Sequence, residues 1–397
     1  MQNSPNKGPA DTTVGHLVTA NSAFAYNLYK QLGSSKENEN LFFSPGSISV
    51  AMAMTYLGAR GNTASEMQKV MMFGDVPDSE VHKSFGELLK AYKDTKNVTL
   101  HMANRLYADS SFKILQSYLA DTKLHYEAEL TQVNFVSEYE VARQIINQWV
   151  EEQTAEKIKD LLSSGTVNSN TKAVLVNAVY FKGNWDSKFK VESTKPATFT
   201  AIGGEEIPVQ MMYQKDKYFY GRNPKLEAHA IELPYAGQSM SMIIVLPEKD
   251  KFMDFEKNFV IDDITNCEKS FHMVKRDVHL WLPKFKMEDS FSLGEHLVAL
   301  GIRDLFDQGK ANLSGLDKEN SVFVSKVLHK SFVEVNEEGT EAAAATAAVM
   351  MLRMAVKEIH FKADHPFFFF IRENMTQSIL FMGRLLKPQT EPIKEEL

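Results

Sequence analysis

Apolar residues recur at helical spacing early in the chain and at strand spacing later. From Thr12, "TTVGHLVTANSAFAYNLYKQLG" sets Leu17, Ala20, Phe24 and Leu28 on one face and predicts a helix ending at Gly33. The short "NLFF" that follows predicts a strand. Next, "SPGSISVAMAMTYLGARG" predicts a helix capped by Ser44 or Ser47, with Ile48, Ala51, Met52 and Thr55 inward. Thr63 with Glu66 has capping-box spacing for the next helix. "SEYEVARQIINQWVEEQTAEKI" predicts another, with Val141, Ile145 and Trp149 in register.

The period then changes. "KAVLVNAVYF" (172–181) is almost wholly apolar and β-rich, so it predicts a strand covered on both faces. "SMIIVLP", "VHLWLPKFKM" and "SILFMGRLL" predict further strands, with a helix over Ser292 to Leu300 between them. Helices gather early and strands late, which makes the class α+β with at least one large sheet.

The 397 residues, 44% of them hydrophobic, are ample for a large core. No Pro/Gly/Ser-rich linker, repeat or composition shift divides them. One domain over 15–388 is therefore expected, with tails at 1–14 and 389–397. Net charge is −7 and the basic residues are scattered, so no nucleic-acid surface is expected. Without an apolar run of 18 residues, no membrane span is expected; the aromatic run Phe367 to Phe370 is far too short. Cys267 is the only cysteine, which excludes an intramolecular disulfide and a thiolate cluster, and an inert buried thiol is expected.

Catalytic signatures are missing. There is no GxxxxGK[ST], HExxH or GxGxxG, and "GQSMS" at Gly237 lacks the last glycine of a nucleophile elbow. The eleven histidines are dispersed, and His272/His279 and His360/His365 lack a supporting carboxylate pattern. No enzyme, metal or cofactor is expected.

One segment asks for another explanation. "EEGTEAAAATAAVMMLRM" (337–354) has no apolar stripe at three and four, so it is a poor amphipathic helix. At period two, Thr340, Ala342, Ala344, Thr346 and Ala348 share one side, and all are small and uncharged. Glu341 falls on the other. Such a face can slip between two strands without burying a charge. The run ends at Arg353, the only arginine between Val333 and Ile371, which suits a protease with an acidic specificity pocket.

Four ordered stretches resemble serpins, the serine protease inhibitor family. They are "NLFFSPGSISVAMAM", "VNAVYFKGNW", "VNEEGTEAAAAT" and "FKADHPFFFFIRENMTQSILFMGRLLKP", and the resemblance covers about Gly15 to Pro388. It implies a fold of about nine helices and three sheets with an exposed reactive-centre loop. It implies a loop hinge over Glu337, Glu338, Gly339, Thr340, Glu341, Ala342, Ala343, Ala344, Ala345 and Thr346. The scissile bond, fourteen places after the hinge glycine Gly339, is Arg353–Met354. Met350, Met351, Leu352 and Ala355 become protease subsite contacts. Ser44, Ser47, Asn177 and His329 correspond to the polar shutter beneath the main sheet. Trp185, Lys284 and Glu337 correspond to the breach, where insertion begins.

The function so implied is suicide inhibition: a protease cuts the loop, which then inserts as a strand while the acyl-enzyme persists. Small hinge residues favour this over a non-inhibitory carrier or chaperone. Arg353 points to trypsin-like serine proteases. Furin-type convertases come second, because Leu352 and Met350 stand where they generally want basic residues. A monomer is expected. Lys83, Lys90, Lys93 and Lys96 lie where some serpins bind heparin, but Glu87 and Asp94 dilute the charge, and heparin binding is not expected. The ending "KEEL" is a variant of endoplasmic reticulum retrieval signals, which favours the secretory pathway with a leader removed; the alternative is the cytoplasm. Asn97, Asn312 and Asn374 carry glycosylation sequons.

Overall fold

The structure, a computed structural model, describes residues 12–95, 97–338 and 358–389. Helix α1 (Thr13–Ser35) is capped by the Thr12 hydroxyl, which accepts the Gly15 amide at 3.1 Å. It buries Leu17, Ala20, Phe24 and Leu28 and runs two residues past Gly33. After β1 (Leu41–Phe43), Ser44 caps α2 (Pro45–Gly58), and Pro45 sits in the first turn, where no amide donor is needed. Helix α2 is buried on every face, so it threads the core and does not lie on it.

Two sequence expectations are corrected in the next stretch. Helix α3 (Gly61–Val70) starts before Thr63, which is buried inside it, and no capping box forms. Thr63 Oγ1 instead accepts the Asn312 amide, and Glu66 accepts those of Arg303 and Asp304. Both residues satisfy a distant loop. Then come α4 (Asp78–Lys93), β2 (Val98–Asp109), α5 (Gln116–Tyr126), β3 (Leu130–Val133) and α6 (Phe135–Gln153). Helix α6 buries Phe135, Ala142, Ile146 and Val150, while Val141 and Ile145 are 51% and 45% exposed. The buried face is thus one residue on from the expected one. Its position is set by the patch beneath it, where Tyr107, Val174, Val176 and Leu328 gather.

The strand-rich remainder runs β4 (Ala173–Gly183), β5 (Lys195–Thr200), β6 (Glu206–Asn223), β7 (Ala228–Pro234) and β8 (Met240–Pro247). Short helices α7 (Phe252–Asn258), α8 (Ile261–Thr265) and α9 (Cys267–Ser270) follow. Then come β9 (Val274–Pro283), β10 (Phe285–Ser292), α10 (Gly294–Leu300), β11 (Lys326–Val335), β12 (Ile359–Lys362), β13 (Phe367–Glu373) and β14 (Ile379–Leu385). The class is α+β, with ten α-helices among the described residues.

The strands form two hydrogen-bonded systems. In the nine-stranded one, β1-β14-β13-β8-β7-β6-β9-β12, β5 also pairs with β6. Strand β6 joins its two parts: β9 pairs with Met211 to Tyr220 and β7 with Phe219 to Asn223. The third sheet implied by the resemblance is thereby continuous with the second. The run Phe367 to Phe370 lies in β13, between β14 and β8, and all four rings are buried.

The five-stranded sheet has the order β10-β11-β4-β2-β3. Strand β4 is buried from Ala173 to Phe181, as its almost wholly apolar run predicts. Its two faces meet the main core and the cluster under α6. Its neighbour β11 is parallel to it, and β2 on the other side is antiparallel. Cys267 is buried and free, and burial pushes its thiol up to about 12.

Candidate functional site

A row of polar side chains crosses the centre of the five-stranded sheet. Asn104 on β2, Asn177 on β4 and His329 on β11 are register partners in turn. The Ser44 amide donates to His329 Nε2 at 3.1 Å, so the ring proton sits on Nδ1 and is donated to Asn177 Oδ1. The Asn177 amide group donates in turn to Ser47 Oγ and Asn104 Oδ1. Ser44 Oγ donates to the Leu380 carbonyl at 2.7 Å while it accepts the Ser47 amide.

This circuit works only with a neutral imidazole. His329 is fully buried, and desolvation lowers its pKa to about 3. Ser44, Ser47, Asn177 and His329, predicted together, are brought together. Sequence reading missed Asn104 and also Ser331, whose hydroxyl donates to the Phe42 carbonyl at 3.1 Å. The available signal was a polar residue inside each strand at the level of the expected ones.

A second cluster closes the end of β11. Trp185 Nε1 donates to the Asn336 carbonyl at 3.0 Å, and its ring stacks on Tyr235 with centroids 4.7 Å apart. Gly183 makes room for that stack, since a Cβ there would meet the Tyr235 ring at 2.4 Å. Glu337 is held between Lys284 Nζ and Thr194 Oγ1, each at 2.8 Å. Burial works to raise the Glu337 pKa, but the hydrogen bonds from Lys284 and Thr194 outweigh it and leave it lowered. Trp185, Lys284 and Glu337 thus meet as predicted, with Thr194 added. Glu338 is exposed and pairs with Lys182 at 3.3 Å.

The pair carries a directional prediction. Glu337 is almost buried and Lys284 is 39% exposed, so removing the cation strands a carboxylate, whereas removing the acid frees a solvated amine. Lys284→Met should therefore cost about 1–3 kcal/mol of unfolding free energy and Glu337→Gln less. The lowered carboxylate pKa stabilises the fold above the ordinary glutamate range, and that gain is lost as pH falls through the lowered value. Urea melts of both variants at neutral pH and in steps down through and below the ordinary glutamate range check the order and its loss.

The two clusters lie along one seam. Strands β4 and β11 are parallel, paired from Val174–Lys326 to Phe181–Val333, and the Asn177–His329 bond crosses between them. Chain turning back from the end of β11 into this seam would run antiparallel to both neighbours. It would complete two ladders where one parallel ladder stands.

The other residues expected at the site lie outside the described residues. These are Gly339, Thr340, Glu341, Ala342 to Ala345, Thr346, Met350, Met351, Leu352, Arg353, Met354 and Ala355, as well as Lys96 and the ending KEEL. Lys83 and Lys93, on the face where heparin binding is not expected, pair with Glu80 and Glu127. No helix among the described residues is long and apolar enough to cross a membrane.

Comparison with known proteins places this geometry. The family model described as Serpin (serine protease inhibitor) matches residues 19–388. Leukocyte elastase inhibitor of Xenopus tropicalis is 45% identical over 381 residues, covering 94% of this chain and 100% of that protein. The Homo sapiens protein of the same name is 44% identical over 378 residues, covering 94% and 99%. Among solved structures, uncleaved ovalbumin superposes with a TM-score of 0.86 at 34% identity, covering 94% of this chain and 100% of that one. Human thyroxine-binding globulin complexed with thyroxine gives 0.86 at 29%, covering 96% and 100%.

Proposed function

The chain belongs to the serpin family of serine protease inhibitors, and from that premise we propose that it traps trypsin-like serine proteases irreversibly at Arg353–Met354. It is an inhibitor and not an enzyme. The observation that carries the finer reading is Arg353, fourteen residues after Gly339, behind a run of small uncharged residues. The relatives are named for elastase, whose specificity pocket is small. A guanidinium does not fit such a pocket and does fit one with an aspartate at its base. Leu352 and Met350 speak against a convertase, and Thr340 with the alanines speaks against a carrier.

The protease serine attacks the Arg353 carbonyl, the bond to Met354 breaks, and the Met354 amine leaves. An ester joins Arg353 to the protease. The freed segment from Gly339 to Arg353 then enters between β4 and β11 as an antiparallel strand. At about 3.3 Å per residue, about fourteen residues carry the protease roughly 45 Å. Ladder hydrogen bonds and burial of the small face drive the step, so the uncut fold is held by a kinetic barrier.

Equimolar trypsin, a denaturing gel and N-terminal sequencing of the released fragment test this. A band at the summed mass and a fragment beginning at Met354 are expected. Cleavage after Arg353 with fully active trypsin left over would refute trapping of trypsin-like enzymes.

A further inference from the structure

Strands β9 and β12 run parallel at one edge of the nine-stranded sheet, and their register sets His360 beside His279. Glu358, just before β12, reaches the same point. Its Oε1 is 3.4 Å from His279 Nε2, and its Oε2 is 3.9 Å from His360 Nε2. One ligand atom from each of the three lies within 4.8 Å of the others. Zinc bonds of 2.0–2.2 Å at a tetrahedral centre put neighbouring ligand atoms roughly 3.3–3.5 Å apart. The His279–Glu358 edge already has that length, and the exposed His360 has to move in by at most about 1.4 Å to close the other edges, none of which exceeds 4.8 Å.

The state of His279 is the second observation. Its Nε2 is buried with no hydrogen-bond partner, and its Nδ1 lies 2.9 Å from the Tyr213 hydroxyl. With a metal on Nε2, the ring proton sits on Nδ1 and is donated to the Tyr213 hydroxyl. Metal-bound histidines are oriented in this way by a partner on the other nitrogen. Stacking against Tyr213 and Trp281 fixes the ring plane.

We propose that His279, Glu358 and His360 form a binding site for one zinc-like divalent ion, which clamps edge strand β12 to β9. Two imidazoles and one carboxylate suit zinc, nickel or copper and not magnesium or calcium, and water completes the coordination. Lys215 Nζ, 3.0 Å from Glu358 Oε1, has to swing away. That cost is small, because both side chains are solvent-exposed and an exposed ion pair contributes little. Sequence spacing suggests no such site, since it pairs His272 with His279 and His360 with His365. The parallel register pairs His279 with His360 instead. The clamp lies four residues beyond Met354, so it holds the chain that follows the proposed cut, but it does not depend on that cut.

The test uses the untagged full chain, stripped with chelator and titrated calorimetrically with zinc chloride. One saturable ion per chain is expected, with a zinc-dependent rise in melting temperature. His360→Gln and Glu358→Gln should each weaken binding at least ten-fold while melting like the wild type without metal, and His272→Gln should bind unchanged. Absence of saturable zinc binding, or equal affinity in the His360→Gln and Glu358→Gln variants, would overturn the site.

Discussion

Replacing Thr340 with arginine is expected to turn the protein from an inhibitor of its target protease, trypsin in the proposed function, into a substrate while leaving its fold intact. Thr340 follows Gly339 in the sequence, two residues beyond Glu338, and at strand period it falls on the same side as Ala342, Ala344 and Thr346. Around the top of the seam, Phe181 and Val333 are buried register partners belonging to the main core. A guanidinium forced among such groups lacks a counter-ion, and burying it costs several kilocalories per mole. Every 1.36 kcal/mol added to the insertion barrier slows insertion about ten-fold. About 3 kcal/mol then lowers the ratio of insertion to deacylation roughly a hundred-fold. The stable complex should fall to under about a tenth of the wild-type yield, with cleavage after Arg353 unchanged and the melting curve unmoved. Full trapping by Thr340→Arg would sink the insertion account, whatever the target protease.

What could be read in advance was local. Apolar periodicity set α1, and an almost wholly apolar run set β4. The failures involve residues whose partners are far along the chain. Thr63 and Glu66 looked like a cap but serve a loop some 240 positions away. The face of α6 turned by one residue because the patch beneath it comes from β2, β4 and β11. Asn104 joined the polar row because the antiparallel register of β2 and β4 puts it opposite Asn177, 73 positions on. Resemblance supplied Ser44, Ser47, Asn177 and His329 as a set, and only the register explains why they must be one.

Acid should weaken the wild-type protein at His329, and His329→Gln should remove that sensitivity. The imidazole accepts the Ser44 amide on Nε2 and donates from Nδ1 to Asn177, so a second ring proton breaks the first bond inside the core. Its folded pKa, lowered by burial to about 3, lies below the ordinary value of 6.5. Between the two, the unfolded chain binds a proton that the native chain does not, so stability falls as pH drops below 6.5 and levels off near 3. From pH 6.5 to 4.5 this amounts to about 2–3 kcal/mol at roughly 1.36 kcal/mol per unit. Glutamine can accept from Ser44 and donate to Asn177 without titrating. At pH 7.5 His329→Gln should lose about 1–2 kcal/mol through imperfect fit, and by pH 4.5 it should equal or exceed the wild type. Carboxylates elsewhere titrate alike in both proteins and cancel in the difference. Because the Asn177–His329 bond spans the strands that part in the proposed mechanism, mild acid should also lower the barrier to opening the seam. Denaturant melts and trapping rates measured across this pH range carry the test, and parallel profiles for the two proteins would exclude His329 as the acid-sensitive latch.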